Sequence, residues 1–191
     1  GIGSYRTSWA LLGKLRSCTA LPMRHQLSGF VEVDEAFLGG TNNKEIIAVA
    51  TEKRGAATGR IRLKHIKSRE SSEIQDFITE VIAPGSRIVS DRHNSYPSIV
   101  KKGYLHDPQK KPYFWEEVDG DDERLLPRVH RVISLLKRWY YGTYQGRVDK
   151  RSLQAYLDEF VFRFNRRTSG SRGLLFHRMV EAAANSKPKP R

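Results

Sequence analysis

Residues 29–40 read GFVEVDEAFLGG, and no other stretch constrains the fold as strongly. Val31, Val33 and Glu35 fall on one side of an extended chain, Glu32, Asp34 and Ala36 on the other, and Gly39-Gly40 ends the run. Strict alternation of this kind predicts a β-strand. It also sets a problem, because Asp34 lies inside a strand that is otherwise apolar. A carboxylate in a central strand is costly unless it is paired or binds a metal.

Two further strands are predicted behind it, Ile46–Ala50 and Arg60–Ile66, joined by a glycine-containing turn. Three successive strands of this type predict an antiparallel meander. The period then changes. After Ser71-Ser72, residues Ile74, Phe77, Ile78, Val81 and Ile82 form one helical stripe that stops at Pro84-Gly85. SRIVSD reads as a short buried strand with Asp91 at its carboxyl end, NSYPSIVKKG as a short helix, and YLH as a further strand. From Asp107 to Glu123 the chain is charged and irregular and reads as a loop. Val129, Val132, Ile133 and Leu136 make a helical stripe, and His130 and Lys137, two turns apart, share a face beside it. The most regular helix carries Leu153, Tyr156, Leu157, Phe160, Val161 and Phe164. At the start of the chain Trp9, Leu11, Leu12 and Leu15 predict an amphipathic helix that must dock on something. This order of elements predicts an α/β or α+β layer, a mixed sheet covered by helices.

Composition narrows the function. Lys and Arg number 34 against 21 Asp and Glu, a formal net charge of +13 in 191 residues. A chain this basic meets a polyanion, and nucleic acid is the first expectation. The single cysteine, Cys18, excludes an internal disulfide and a multi-cysteine zinc site, and fits a reducing compartment. No apolar run reaches about 18 residues, so no membrane span is expected.

Asp34 and Asp91 are the telling acids. Two carboxylates on adjacent strands repel, and a divalent cation removes the penalty. Acidic metal ligands inside a positive protein are what phosphodiester chemistry needs. The acids at 119, 121 and 122 form a run that reads as a solvated loop. Glu32 and Glu35 either tune Asp34 or face solvent. Trp139, Tyr140, Tyr141 and Tyr144 either stack on unpaired bases or pack against the last helix.

Four motifs, LSGFVEVDEAFLGG, VSDRHNSY, HRVISLLKRWYYGTYQGRV and LQAYLDEFVFRFNRR, stand in an order that resembles the catalytic domain of DDE-superfamily insertion-sequence transposases of the ISXO type. The resemblance runs from Ser4 to about Arg178. It implies an RNase H-like fold: a mixed five-stranded sheet flanked by helices, with extra C-terminal helices. The expected organisation is a helical lead-in over 1–26, a catalytic domain over 27–180 and a basic disordered tail over 181–191. In such enzymes the first two acids match Asp34 and Asp91, and the third metal-site residue matches His130, with Lys137 two turns on to reach a DNA phosphate.

The third position is commonly Glu. Mg2+ is the expected ion; with His the site holds one negative charge fewer, so a weaker second ion is expected, and Mn2+ as the better-suited substitute. Glu123 is the alternative third carboxylate. The expected DNA track comprises Lys137, Arg138, Arg131, Arg147, Arg166 and Arg167. The resemblance further implies DNA ends and target DNA as partners, a homo-oligomer in the working complex, and a bacterial cytoplasmic, nucleoid-associated location. Family members carry an upstream zinc ribbon, which a sequence with only Cys18 does not include. Two other readings stand beside strand transfer: a metal-dependent nuclease or resolvase on the same fold, and a non-catalytic DNA-binding remnant.

Overall fold

The computed structural model describes residues 3–20, 26–40, 44–91, 96–109 and 126–185. Strand β1 (Phe30–Leu38) carries the alternation. It pairs antiparallel with β2 (Glu45–Arg54), from Val31 opposite Glu52 to Leu38 opposite Glu45. Strand β2 turns back into β3 (Ala57–Ile66) through Gly55 and Ala56. Gly55 has φ +58°, the left-handed conformation such two-residue connections demand. A bulge follows Thr51, and Gly59 sits against it: a Cβ there would lie 2.8 Å from the Glu52 carbonyl oxygen. Only glycine lets the two strands close at that point.

Helix α2 (Ser71–Val81) crosses to β4 (Arg87–Asp91), which lies parallel to β1. A 3-10 turn (Pro97–Lys102) leads to β5 (Leu105–Gln109), parallel to β4. The sheet order is β3-β2-β1-β4-β5, with β1 in the centre, the mixed five-stranded sheet that was expected. One correction concerns the charged run after Asp107. Its first residues belong to β5, where ladder bonds to β4 outweigh polar composition at half-exposed positions. The remainder of that run, including Glu123 and the acids at 119–122, lies outside the described residues.

Because β1 is central, each of its faces needs a cover. Val31 and Val33 pack with Ala48, Ala50, Ile74, Phe77 and Ile78 under α2. Ala36 and Leu38 pack with Ile47, Val49 and Leu63 under α3 (Pro127–Tyr144) and α4 (Leu153–Asn165). The stripes at Val129, Val132 and Leu136, and at Leu153, Leu157 and Phe160, fill that second core, as their spacing predicts. Helix α4 also closes the edge of the sheet. Asn165 accepts from the Ile61 N–H and donates to its carbonyl, and Gln154 does the same with the His65 N–H and the Leu63 carbonyl. Two side-chain amides thus replace the ladder a sixth strand would supply.

Helix α1 (Tyr5–Ser17) departs from its expected docking. Trp9, Leu11 and Leu12 stay exposed, and its attachment runs through Arg16 instead. Arg16 is 8% exposed, donates to Glu159 on α4 at 2.7 Å, and lies 4.0 Å from the centre of the Tyr156 ring. A guanidinium that is hydrogen-bonded and stacked on an aromatic face tolerates this burial. Helix α5 (Arg172–Asn185) follows α4, and residues 186–191 lie outside the described residues. Among the described residues no helix is long and apolar enough to cross a membrane.

Candidate active site

Parity on the central strands decides which side chains meet. Glu32 of β1 stands opposite Val89 of β4, and Val89 belongs to the core under α3. Two residues further along each parallel strand come Asp34 and Asp91. Side-chain period is two, so both acids project on the α3 side of the sheet, at the same level.

Helix α3 is brought to them by Glu32. Its N-terminal flank is Leu126, buried in the left-handed region at φ +57° and without a polar side chain to cap the helix. The first turn would leave its N–H groups orphaned. Glu32, 2% exposed, supplies the missing acceptor. Its Oε2 takes the N–H of Arg128 and of Val129, each at 2.8 Å, and its Oε1 takes Arg128 Nη1 at 2.9 Å. A carboxylate at a helix N-terminus also meets the positive end of the helix dipole. The next residue on α3 is His130, and its Nε2 lies 3.2 Å from Asp34 Oδ2.

Asp34 has 18% of its side chain exposed, His130 48%. Burial raises the Asp34 carboxyl above its ordinary pKa. The bond from the Glu35 N–H opposes this, the Glu35 charge adds to it, His130 relieves it and Asp91 adds to it again. An acid held in this way gains when a cation comes near. The donor set fits a hard divalent ion: carboxylate oxygens with one imidazole, of which magnesium favours the oxygens and manganese accepts both. Neighbouring ligands on an octahedral ion with bonds of about 2.1 Å lie about 3 Å apart, close to the Asp34–His130 separation. Among the described residues no three His, Cys, Asp or Glu side chains are gathered closely enough to hold an ion as they stand. The pair Asp34–His130 is together; Asp91 is within electrostatic reach of Asp34. Lys137 is exposed on α3, two turns from His130.

A groove of about 800 Å³ runs from His130 along α3 to the β2–β3 hairpin. Arg128, Arg131, Ser134 and Arg138 line it on the helix side and Thr58 on the hairpin side, and among the described residues no carboxylate lines it. Arg167 reaches the same hairpin, donating to the Thr58 carbonyl. Burial, then the charge of Arg131, lowers the Arg167 pKa, a sign that the two cations are close. Arg166 is exposed and sits 4.0 Å from the centre of the Phe162 ring; Arg147 is exposed just beyond α3.

The aromatic residues of α3 pack rather than project. Trp139 meets Phe160 and the edge of Tyr144, Tyr144 meets Tyr156, and Tyr140 is buried. Tyr141 is exposed, yet its hydroxyl donates to the Gly39 carbonyl. The anchoring role of Glu32 is almost silent in the sequence. Its only signal was position: Glu32 shares a strand face with Asp34.

The model of the ISXO2-like transposase domain matches residues 26–165. No curated protein matches by sequence. Among solved structures, the magnesium complex of the HTLV-2 integrase catalytic core domain, in its trimeric form, is similar with a TM-score of 0.51 and 12% identity, over 78% of this chain and 92% of that one. A chain of the simian T-cell lymphotropic virus intasome, in complex with PP2A regulatory subunit B56 gamma, is similar with a TM-score of 0.50 and 15% identity. That match covers 73% of this chain and 49% of the other, so the chain spans about half of its length. Likeness to integrase cores of the DDE superfamily shows the fold to be RNase H-like. With the family model covering the whole sheet, α3 and α4, the chain belongs to the ISXO2-like transposase domain family.

Proposed function

We propose that this domain cleaves DNA at the ends of a mobile element and joins the freed 3′-hydroxyl to a target phosphodiester. The observation that carries the reading is the Asp34–His130 pair at 3.2 Å, beside Asp91 on the adjacent parallel strand, at the mouth of an arginine-lined groove. Asp34, Asp91 and His130 are the residues that would hold Mg2+, with Mn2+ as substitute. The bound ion supplies an activated oxygen nucleophile and a stabilised leaving oxygen.

The chain's own residues do the rest. Asp34 and Asp91 present their oxygens on one face of a rigid sheet, so little reorganisation accompanies reaction. His130 offsets part of the Asp34 charge in the free protein. Lys137 holds a phosphate beside the reacting one. Arg131, Arg138, Arg147, Arg166 and Arg167 bind the backbone of the duplex, fixing register without reading sequence. DNA is thus the partner, and two copies of the chain act together because two ends must be joined. The same reading puts the protein with the nucleoid, in the cytoplasm of a bacterium.

One observation favours a second reading, a DNA-binding remnant: a half-exposed imidazole stands where a third carboxylate would bring charge, directly paired with Asp34. Strand transfer separates the readings. The purified chain is incubated with a labelled, pre-cleaved end fragment and a plasmid target, in Mg2+ and in Mn2+, beside Asp91→Asn. Joined product that vanishes in Asp91→Asn supports transposition. Nicking without joining supports a nuclease or resolvase. Binding with neither activity supports the remnant.

A further inference from the structure

Behind the two acids, on the opposite face of the sheet, lies a second set of charged and polar groups that the proposed chemistry does not use. Glu35 follows Asp34 and points the other way. Its side chain is 2% exposed in a core of apolar residues. Tyr96, fully buried, donates its hydroxyl to Glu35 Oε1 at 2.5 Å. Arg69, just before α2, donates Nε to Glu35 Oε2 at 2.9 Å and brings Nη2 within 2.8 Å of it. The Tyr96 ring stacks on His106 of β5, with centroids 5.8 Å apart. His106 Nε2 lies 2.9 Å from Ser90 Oγ, which donates to the Asp91 carbonyl at 2.9 Å. With the serine proton committed to that carbonyl, His106 is the donor to Ser90.

These contacts join the two halves of the front face. The Glu35 N–H donates to Asp34 Oδ1 at 2.8 Å, so the residue that holds Tyr96 with its side chain holds the first acid with its backbone. Tyr96 lies five residues beyond Asp91, at the far end of the connection that leaves the second acid. The path Asp34–Glu35–Tyr96–His106–Ser90–Asp91 is therefore continuous. A buried carboxylate is retained at a cost unless its partners satisfy it. Here the partners come from two separate segments, Arg69 between β3 and α2 and Tyr96 beyond β4. Burial, then the Glu35 charge, pushes the Tyr96 phenol well above its ordinary pKa, so the donor keeps its proton.

We propose that Glu35, Tyr96 and Arg69 form a clamp on the back of the sheet that sets the separation of Asp34 and Asp91, making Glu35 and Tyr96 positioning residues for a divalent cation. The proposal rests on the reading that Asp34 and Asp91 hold the cation. The outer partners of metal ligands are worth about 10–100-fold in metal affinity. Metal binding, not turnover, is therefore the quantity to measure.

MgCl2 and MnCl2 are titrated calorimetrically into the 191-residue chain and into Tyr96→Phe, Glu35→Gln, Asp34→Asn and Asp91→Asn. The Tm without metal is recorded for each. Ile78→Val, a core change on the same face that removes no hydrogen bond of the path, controls for a general loss of stability. Tyr96→Phe and Glu35→Gln are expected to weaken binding about tenfold, while Ile78→Val binds as the parent does. Binding unchanged in both clamp variants, with loss in Asp34→Asn and Asp91→Asn, overturns the clamp and leaves the metal reading intact. Binding weakened equally in Ile78→Val also overturns it, because general stability would then be the cause. Binding that survives in Asp34→Asn and Asp91→Asn overturns both the metal reading and the clamp built on it. Should Tyr96→Phe not fold, Glu35→Gln, which keeps an acceptor for Tyr96, carries the test.

Discussion

Glu32 Oε2 accepts the N–H of Val129 at 2.8 Å, so a side chain of the central strand caps the helix that carries His130. The contact is structural, yet it sets where the His130 face of α3 falls. Glu32→Ala leaves two helix N–H groups and the Arg128 guanidinium without their acceptor. Removing one partner of a buried pair costs about 3–5 kcal/mol. Urea unfolding at neutral pH should show a loss of that size, and Glu32→Gln, which keeps one acceptor oxygen, a smaller one.

His130→Glu tests the unusual member of the site. A carboxylate at this position faces Asp34 without the relief that His130 gives it. The metal-free variant should therefore unfold at lower urea than the parent. Added charge raises the affinity of an oxygen site for hard cations. Mg2+ should bind on the order of tenfold more tightly, a gain of about 1.4 kcal/mol, with a smaller gain for Mn2+. Calorimetry with both ions reads the ratio; a variant that gains equally for the two ions would speak against His130 as a ligand.

The groove predicts a salt dependence. Each phosphate contact adds about 0.9 to the slope of log K against log salt on duplex DNA. Arg131→Ala and Arg138→Ala, both exposed and both lining the groove, should each lower the slope by about one. The loss should be similar on unrelated sequences. Fluorescence anisotropy across a salt series checks it, and a slope that does not change removes that arginine from the track.

Glu52 gives a pH dependence away from the site. Burial pushes its carboxyl up, but bonds from Arg60 and from the Ser28 N–H outweigh this and hold it below its ordinary 4.5. A depressed acid contributes stability that is present above 4.5 and lost as pH falls through the folded value. The parent should lose urea stability on going from pH 6 to below 4.5 more steeply than Glu52→Gln. Parallel curves for the two proteins would show that Glu52 is not depressed.

Much of this architecture was legible in the residues. Alternation in 30–38 and helical stripes in 71–82, 129–136 and 153–164 fixed the order of elements and the two faces of β1. They also put Asp34 with Glu32 and Ala36. The partner of Glu32 was not legible, because alternation says which face a side chain takes and nothing about which helix arrives there. Glu35 was hidden for the same reason: an acid on a strand face looks alike whether water or Tyr96 meets it. Helix α1 shows the converse. Its apolar spacing predicted docking, but the chain spends Arg16, a charged residue, on that contact and leaves Trp9 in solvent.

The cap on α3 joins residues 96 apart in sequence. Contacts this distant form late, since the intervening chain must be made and ordered first. During synthesis the whole sheet leaves the ribosome before α3 exists. In that interval Glu32 has no helix to cap and Asp34 has no imidazole beside it. The pairing of Asp34 with His130 therefore waits on the last third of the chain, and the buried carboxylate that seats the helix ties its arrival to the finished sheet.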